Sequence, residues 1–207
     1  MYVPPAFAVA DIAELHDLIR TSRLGFLVTR SSNELQSTPL PLFLDAEEGE
    51  YGTLYGHIAR ANPQWKSSID APAMALFMGP NAYITPSWYA TKEATGKVVP
   101  TWNYVAVEAH GIAEFFDDAE RLLGVVTRLT RIYEQTRENP WSVDDAPTDY
   151  VKAQLRGIVG VRMPIIRMDG KRKMSQNRNA DDRAGVIEGL AQSGDPQDVA
   201  VANLVPR

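Results

Sequence analysis

Hydrophobic and polar positions alternate along this chain with two periods, and the changes of period mark the elements. Asp11 and Glu14 form a D-x-x-E capping box, and Ile12, Leu15, Leu18 and Ile19 follow at helical spacing, which predicts a first helix. The pattern then turns strand-like. LGFLVT (24–29) reads as a buried strand, Ser-Ser-Asn at 31–33 as a turn, and 35–44 as a second strand that Pro39 and Pro41 place at an edge or interrupt. YGTLYGH (51–57), Ala73–Met78 and the long run VVPTWNYVAVEAHGIAEFF (98–116) continue the series. Asp117 and Glu120 form a second capping box. Behind it Leu122, Val125, Val126, Leu129, Ile132 and Tyr133 trace one helical face. A further helix is expected at about 148–158, a return strand at VRMPIIRM (161–168), and a hairpin-type turn at Asp169-Gly170. Asn179 caps a first tail helix that Gly194 ends, and Asp195 with Pro196 starts a second.

About six strands with short connections leave no room for parallel crossovers, so the sheet is expected to be antiparallel. Antiparallel sheets of this size close or partly close to remove their edges. The fold class is therefore α+β, an antiparallel barrel with flanking helices and a helical C-terminal tail at about 179–207. The whole of 1–207 is expected to form one domain.

Composition narrows the function classes. The chain has 207 residues, 44% of them hydrophobic, with 21 basic against 26 acidic side chains. It has no cysteine, which excludes disulfides, thiolate metal sites and cysteine nucleophiles and fits a reducing cytoplasm. The N-terminus MYVPPAFAVADIAEL lacks the pattern of a signal peptide, and no apolar run is long enough to span a membrane. His16, His57 and His110 are far apart and show no metal-ligand spacing, so no metal site is expected. There is no G-x-G-x-x-G after a strand, no P-loop and no nucleophile elbow.

Four motifs carry the reading further: GHIARANPQW (56–65), GPNAYITPSWY (79–89), VPTWNY (99–104) and GKRKMSQNR (170–178). Together they resemble the PaiB-type family, the FMN-binding negative transcriptional regulators. The resemblance runs from Tyr2 through DRAGVIEGL (182–190). It implies the FMN-binding split barrel related to pyridoxamine phosphate oxidases, a homodimer with flavin at the subunit interface, FMN as cofactor and a cytoplasmic location. The family often has His where this chain has Pro39, Asn81 and Glu108. Proton transfer or metal contact by those imidazoles is therefore not carried over.

A flavin mononucleotide needs cationic or hydroxyl donors at its phosphate, a flat wall for its ring and polar groups at its edge. In GHIARANPQW the chain is expected to leave a strand at His57, and Arg60, Asn62 and Lys66 offer donors; alternatively Asn62-Pro63 only starts a helix, PQWKSSI. Among Trp65, Trp88, Trp102 and Tyr104, the pair Trp102-Asn103 is the best wall with a polar neighbour, on the strand after an invaginating loop, GPNAYITPSWY. In that loop Tyr83, Thr85, Ser87 and Tyr89 either line a pocket or serve their own turn. Residues 156–178 hold seven basic side chains against Asp169 alone, which is either a solvated face or a site. Beside Lys173 the directional hydrogen-bond formers Ser175, Gln176, Asn177 and Arg178 are suited to a phosphate, a flavin edge or a partner subunit. Arg60 and the pair Lys173 and Arg178 are expected to converge on one anion site across the dimer, unless Asp181 or Asp182 neutralises them.

Two function classes follow: a flavin-binding negative regulator, acting on DNA directly or through a partner protein, and an FMN-dependent oxidoreductase of the pyridoxamine-oxidase type. A third is a binder of another planar cofactor such as haem. No helix-turn-helix is evident, so any direct DNA contact would fall to the 156–178 patch and weaken steeply with salt.

Overall fold

The computed structural model describes residues 1–31, 34–67 and 72–207. The turn expected at 31–33 lies outside the described residues at 32 and 33, as does the end of the segment PQWKSSI. Among the described residues nine strands form: β1 (Ala8–Val9), β2 (Gly25–Arg30), β3 (Leu35–Leu40), β4 (Leu42–Asp45), β5 (Thr53–Ala59), β6 (Pro72–Ile84), β7 (Thr101–Ile112), β8 (Glu114–Phe116) and β9 (Ile158–Lys173). Seven helices accompany them: α1 (Ile12–Thr21), α2 (Gln64–Ser67), α3 (Ala90–Thr95), α4 (Ala119–Glu134), α5 (Thr148–Leu155), α6 (Ala180–Ala191) and α7 (Pro196–Ala202). The fold is α+β, as the pattern predicted. Among the described residues no helix is long and apolar enough to cross a membrane.

The hydrogen-bonded strand order is β3-β2-β6-β7-β9-β5-β4, with β1 and β8 also pairing with β9. Every pair with a recorded register is antiparallel. The prolines act as expected: Pro41 separates β3 from β4, and Pro39 lies on β3, an end strand of the order, where a missing N–H is tolerated.

Three local expectations are corrected. Asp169-Gly170 is not a turn, because β9 runs through it and β1 pairs with it, Val9 opposite Gly170. The glycine is needed for close approach: a Cβ there would stand 2.1 Å from Leu15 Cδ2. Gly79–Ile84 continues β6 rather than forming a loop, and only Pro86–Trp88 is a 3-10 turn. The cap of α4 is Asp118, whose side chain accepts from Arg121 N, so the cap falls one residue later than expected and the place of Glu120 in a box is taken by Arg121.

The chain forms two compact units, Met1–Leu18, Met78–Val107 and Asp169–Arg207 in one, Ile19–Phe77 and Glu108–Met168 in the other. The first unit buries Ile84, Tyr89, Val105, Met174, Val186, Leu190 and Val201 together. Here α6 presents two glycines to Trp88: a Cβ at Gly189 would lie 2.3 Å from the indole and one at Gly185 2.0 Å from its carbonyl oxygen. Asp182 on α6 is buried and accepts from both the N–H and the hydroxyl of Thr91, at 2.9 Å each, which anchors the start of α3. The second unit packs the face of α4 bearing Leu122, Val125 and Leu129 against Phe43, Phe116 and Leu155.

Candidate functional site

In the first unit, the end of β9 and the start of β7 assemble a cationic and aromatic surface. Lys173 Nζ donates to the hydroxyl of Thr101 and, at 2.9 Å, to the carbonyl of Trp102. Burial and then the charges of Lys171 and Arg178 push its pKa below the usual lysine value. Lys171 Nζ lies 5.1 Å from the ring centre of Tyr104 and 5.8 Å from that of Tyr2. The Arg178 guanidinium stands 4.6 Å over Tyr89. Trp102 is 53% exposed and meets Tyr83 edge-on at 6.0 Å. Three cations, an accessible indole and no carboxylate on Lys173 among the described residues form a surface that can hold an anion beside a flat ring.

Under that surface lies a rigid polar support. Asn103 is fully buried and exchanges hydrogen bonds with Ser175 Oγ at 2.9 and 3.2 Å. Ser175 takes φ +58°, a left-handed conformation that costs a non-glycine residue about 1–2 kcal/mol. The turn is closed by Arg178 N donating to Ser175 O at 2.9 Å. Gln176 accepts from Met174 N at 2.6 Å and donates to Ala6 O and Arg172 O. Asp182 is taken up by Thr91 and Asn179, and Arg178 stacks on Tyr89.

The other expected segment belongs to the second unit, and its polar groups are drawn into the fold there. His57 lies within β5 opposite Gly160, with the strand continuing to Ala59 rather than ending at the histidine. Its Nδ1 is buried without a hydrogen-bond partner among the described residues, and burial lowers its pKa, favouring the neutral imidazole. Arg60 Nε donates to Arg156 O at 2.8 Å, Nη2 to Ile158 O at 3.2 Å and Nη1 to Asp117 at 3.3 Å. Asn62 accepts from Gln64 N at 3.0 Å, as in a helix start, and donates to Thr38 at 2.8 Å. Lys66 Nζ lies 5.2 Å from the ring centre of Trp65, whose indole N–H donates to Arg60 O. The structure thus brings Trp102, Asn103, Lys173, Ser175, Gln176 and Arg178 into one unit and His57, Arg60, Asn62 and Lys66 into the other.

Sequence reasoning passed over Gln64. It is 1% exposed, donates to Leu27 O, Thr29 Oγ1 and Gln36 O, and accepts from Thr38 Oγ1. Only its place inside GHIARANPQW marked it.

The family described as "Putative FMN-binding domain" matches residues 1–167. The Bacillus subtilis protein named "Protease synthase and sporulation protein PAI 2" is 33% identical, over 99% of this chain and 96% of its own length. An uncharacterized protein of Emericella nidulans is 36% identical over the same shares. Among solved structures, the FAD and heme binding protein from Mycobacterium smegmatis has a TM-score of 0.61 at 18% identity, over 86% of this chain and 78% of that one. At that identity the likeness concerns the fold, the split-barrel class expected from the motifs.

Proposed function

The chain belongs to the FMN-binding domain family, and from that premise we propose that it is a flavin-binding protein of PaiB type that acts as a homodimeric negative regulator of transcription. The observation that carries the flavin reading is Lys173. Its ammonium is held by a hydroxyl and a carbonyl rather than by an acid, beside Lys171 and Arg178 and at the foot of an exposed indole. A buried or half-buried cation left in that state is stabilised when an anion arrives.

In this reading Lys173 and Arg178 meet the phosphate and Trp102 walls the ring. Asn103, Ser175 and Gln176 hold that surface in shape. His57, Arg60, Asn62 and Lys66 are assigned to the flavin contact made by the second subunit. Bound flavin supplies a redox-active ring; the chain's own residues bind it, orient it and shield one face from water. The exposed Trp102 favours the dimer, since a large apolar side chain on a strand marks a surface to be covered.

Absorption and fluorescence titration with FMN tests the site. Saturable binding is expected, with Lys173→Met or Arg178→Ala weakening it by about 10- to 150-fold, the worth of one charge-assisted contact. Wild-type affinity in both variants with their folds intact, or no binding at saturating FMN, overturns the site. The same titration of Arg60→Ala tests the second segment. A light-scattering mass equal to the 22.9 kDa monomer at micromolar concentration overturns the dimer. For regulation, deleting the gene should derepress a transcript that the wild-type protein, but not Lys173→Met, restores to low level.

A further inference from the structure

In the second unit α4, α5 and the Arg60 turn enclose a cleft of about 300 Å³. Its floor is apolar. Leu122 and Leu155 are buried members of the core, and Ala119 adds a methyl group from the first turn of α4. Its rim is cationic: Arg60, Lys152 and Arg156 line it against the single carboxylate of Asp117.

The three cations are not there to pair with acids. Arg60 is fixed chiefly by two backbone carbonyls, of Arg156 and Ile158, which orient its guanidinium without neutralising it. Among the described residues its one ion-pair partner, Asp117, is 68% exposed, where such a pair contributes little. Lys152 and Arg156 are exposed, four residues apart, and neither has an ion-pair partner among the described residues. Gathering three like charges around an apolar hollow opposes folding, and the hollow's size is at the lower end of that of small-molecule sites.

We propose that this cleft binds a small amphipathic carboxylate of roughly ten heavy atoms in all, its apolar body packed to ordinary density on Leu122 and Leu155 and its head group among Arg60, Lys152 and Arg156. A bare anion would leave the floor wet and gain little from exposed cations. A neutral apolar molecule would bring three charges to its edge with nothing to offset them. An acid with a hydrocarbon tail satisfies both halves of the cleft. The lining comes from the second unit alone, and of its residues Arg60 is also assigned to the flavin contact, so the cleft is probed through Lys152, Arg156 and Ala119 and without FMN.

Octanoate is the probe, read by methyl NMR of Leu122 and Leu155 and by calorimetry, with 1-octanol and inorganic phosphate as chain-only and charge-only controls. Octanoate is expected to shift both leucines saturably. The double variant Lys152→Gln/Arg156→Gln should bind it about tenfold more weakly. Ala119→Trp, on an exposed first-turn position, should fill the hollow and abolish binding with the rim intact. The proposal is overturned by the absence of a saturable octanoate shift, by equal binding of phosphate or octanol, or by wild-type affinity in either variant.

Discussion

Gln64 offers the sharpest test of how the GHIARANPQW segment is held. Among its partners are Leu27 O, Thr29 Oγ1 and Gln36 O, which share the two N–H donors of its amide, and Thr38 Oγ1, which donates to its oxygen at 2.6 Å. Gln64→Ala removes these bonds from a site only 1% exposed. At about 1 kcal/mol each, less some relaxation, the loss should be about 3 kcal/mol. For a chain of this length that lowers Tm by about 6–12 °C. Gln64→Glu keeps the size but turns a donor into an oxygen facing two carbonyls. Burial and those acceptors raise the folded-state pKa of the new carboxyl above its unfolded value of about 4.3. The folded variant then holds its proton more tightly, so its deficit relative to wild type should be smaller at pH 4 than at pH 7. Urea unfolding at the two pH values measures both effects. A loss below about 1 kcal/mol for Gln64→Ala, or an equal deficit for Gln64→Glu at both pH values, refutes the buried-amide account.

The same substitution at two glycines should act in opposite directions, as denaturant midpoints will show. Gly124→Ala on α4, where a Cβ meets nothing within 4 Å, should stabilise by about 0.5–1 kcal/mol. Gly189→Ala, which drives a Cβ into Trp88, should destabilise by about 1–3 kcal/mol despite the same gain in helix propensity. Two carboxylates should contribute to acid sensitivity. Arg128 beside Asp45 lowers its pKa, and for Glu48 the hydrogen bonds of Tyr55 and Arg162 outweigh the upward push of burial. Their stabilisation is present above the unfolded carboxylate pKa and is lost as pH falls through the lowered folded values, so Arg162→Met should flatten the acid limb of a Tm-against-pH curve.

Legibility in the sequence followed the range of the interaction that decides each feature. Helix ends were readable because caps are local: Asn179 accepts from Asp182 N and Asp195 from Gln197 N, as their positions suggested. With two adjacent aspartates the α4 cap fell one residue late, since either could serve. The Asp169-Gly170 pair carried a turn signal that strand pairing with β1 overrode, and its glycine answers a contact with Leu15 that no local pattern shows. Gly, Pro and Asn in GPNAYI likewise imitated a loop inside β6. At the candidate site the motifs singled out the segments, but not what each side chain does within them. Asn62 and Gln64 serve residues of β2 and β3, far away in sequence, and only folding reveals it.

The second unit is complete once Met168 has been made, whereas the first unit still lacks Asp169–Arg207. In the order of synthesis, every residue of the second unit therefore precedes the last segment of the first. Until the late segment emerges, Ala82, Ile84, Tyr89 and Val105 wait without Met174, Val186, Leu190 and Val201, which cover them in the finished protein. A chain stopped at Met168 also ends inside β9, leaving β1 without its partner residues Gly170 and Lys171. A chain cut at Met168 is therefore expected to carry an open apolar surface and an unpaired edge, features that favour chaperone capture and aggregation over folding.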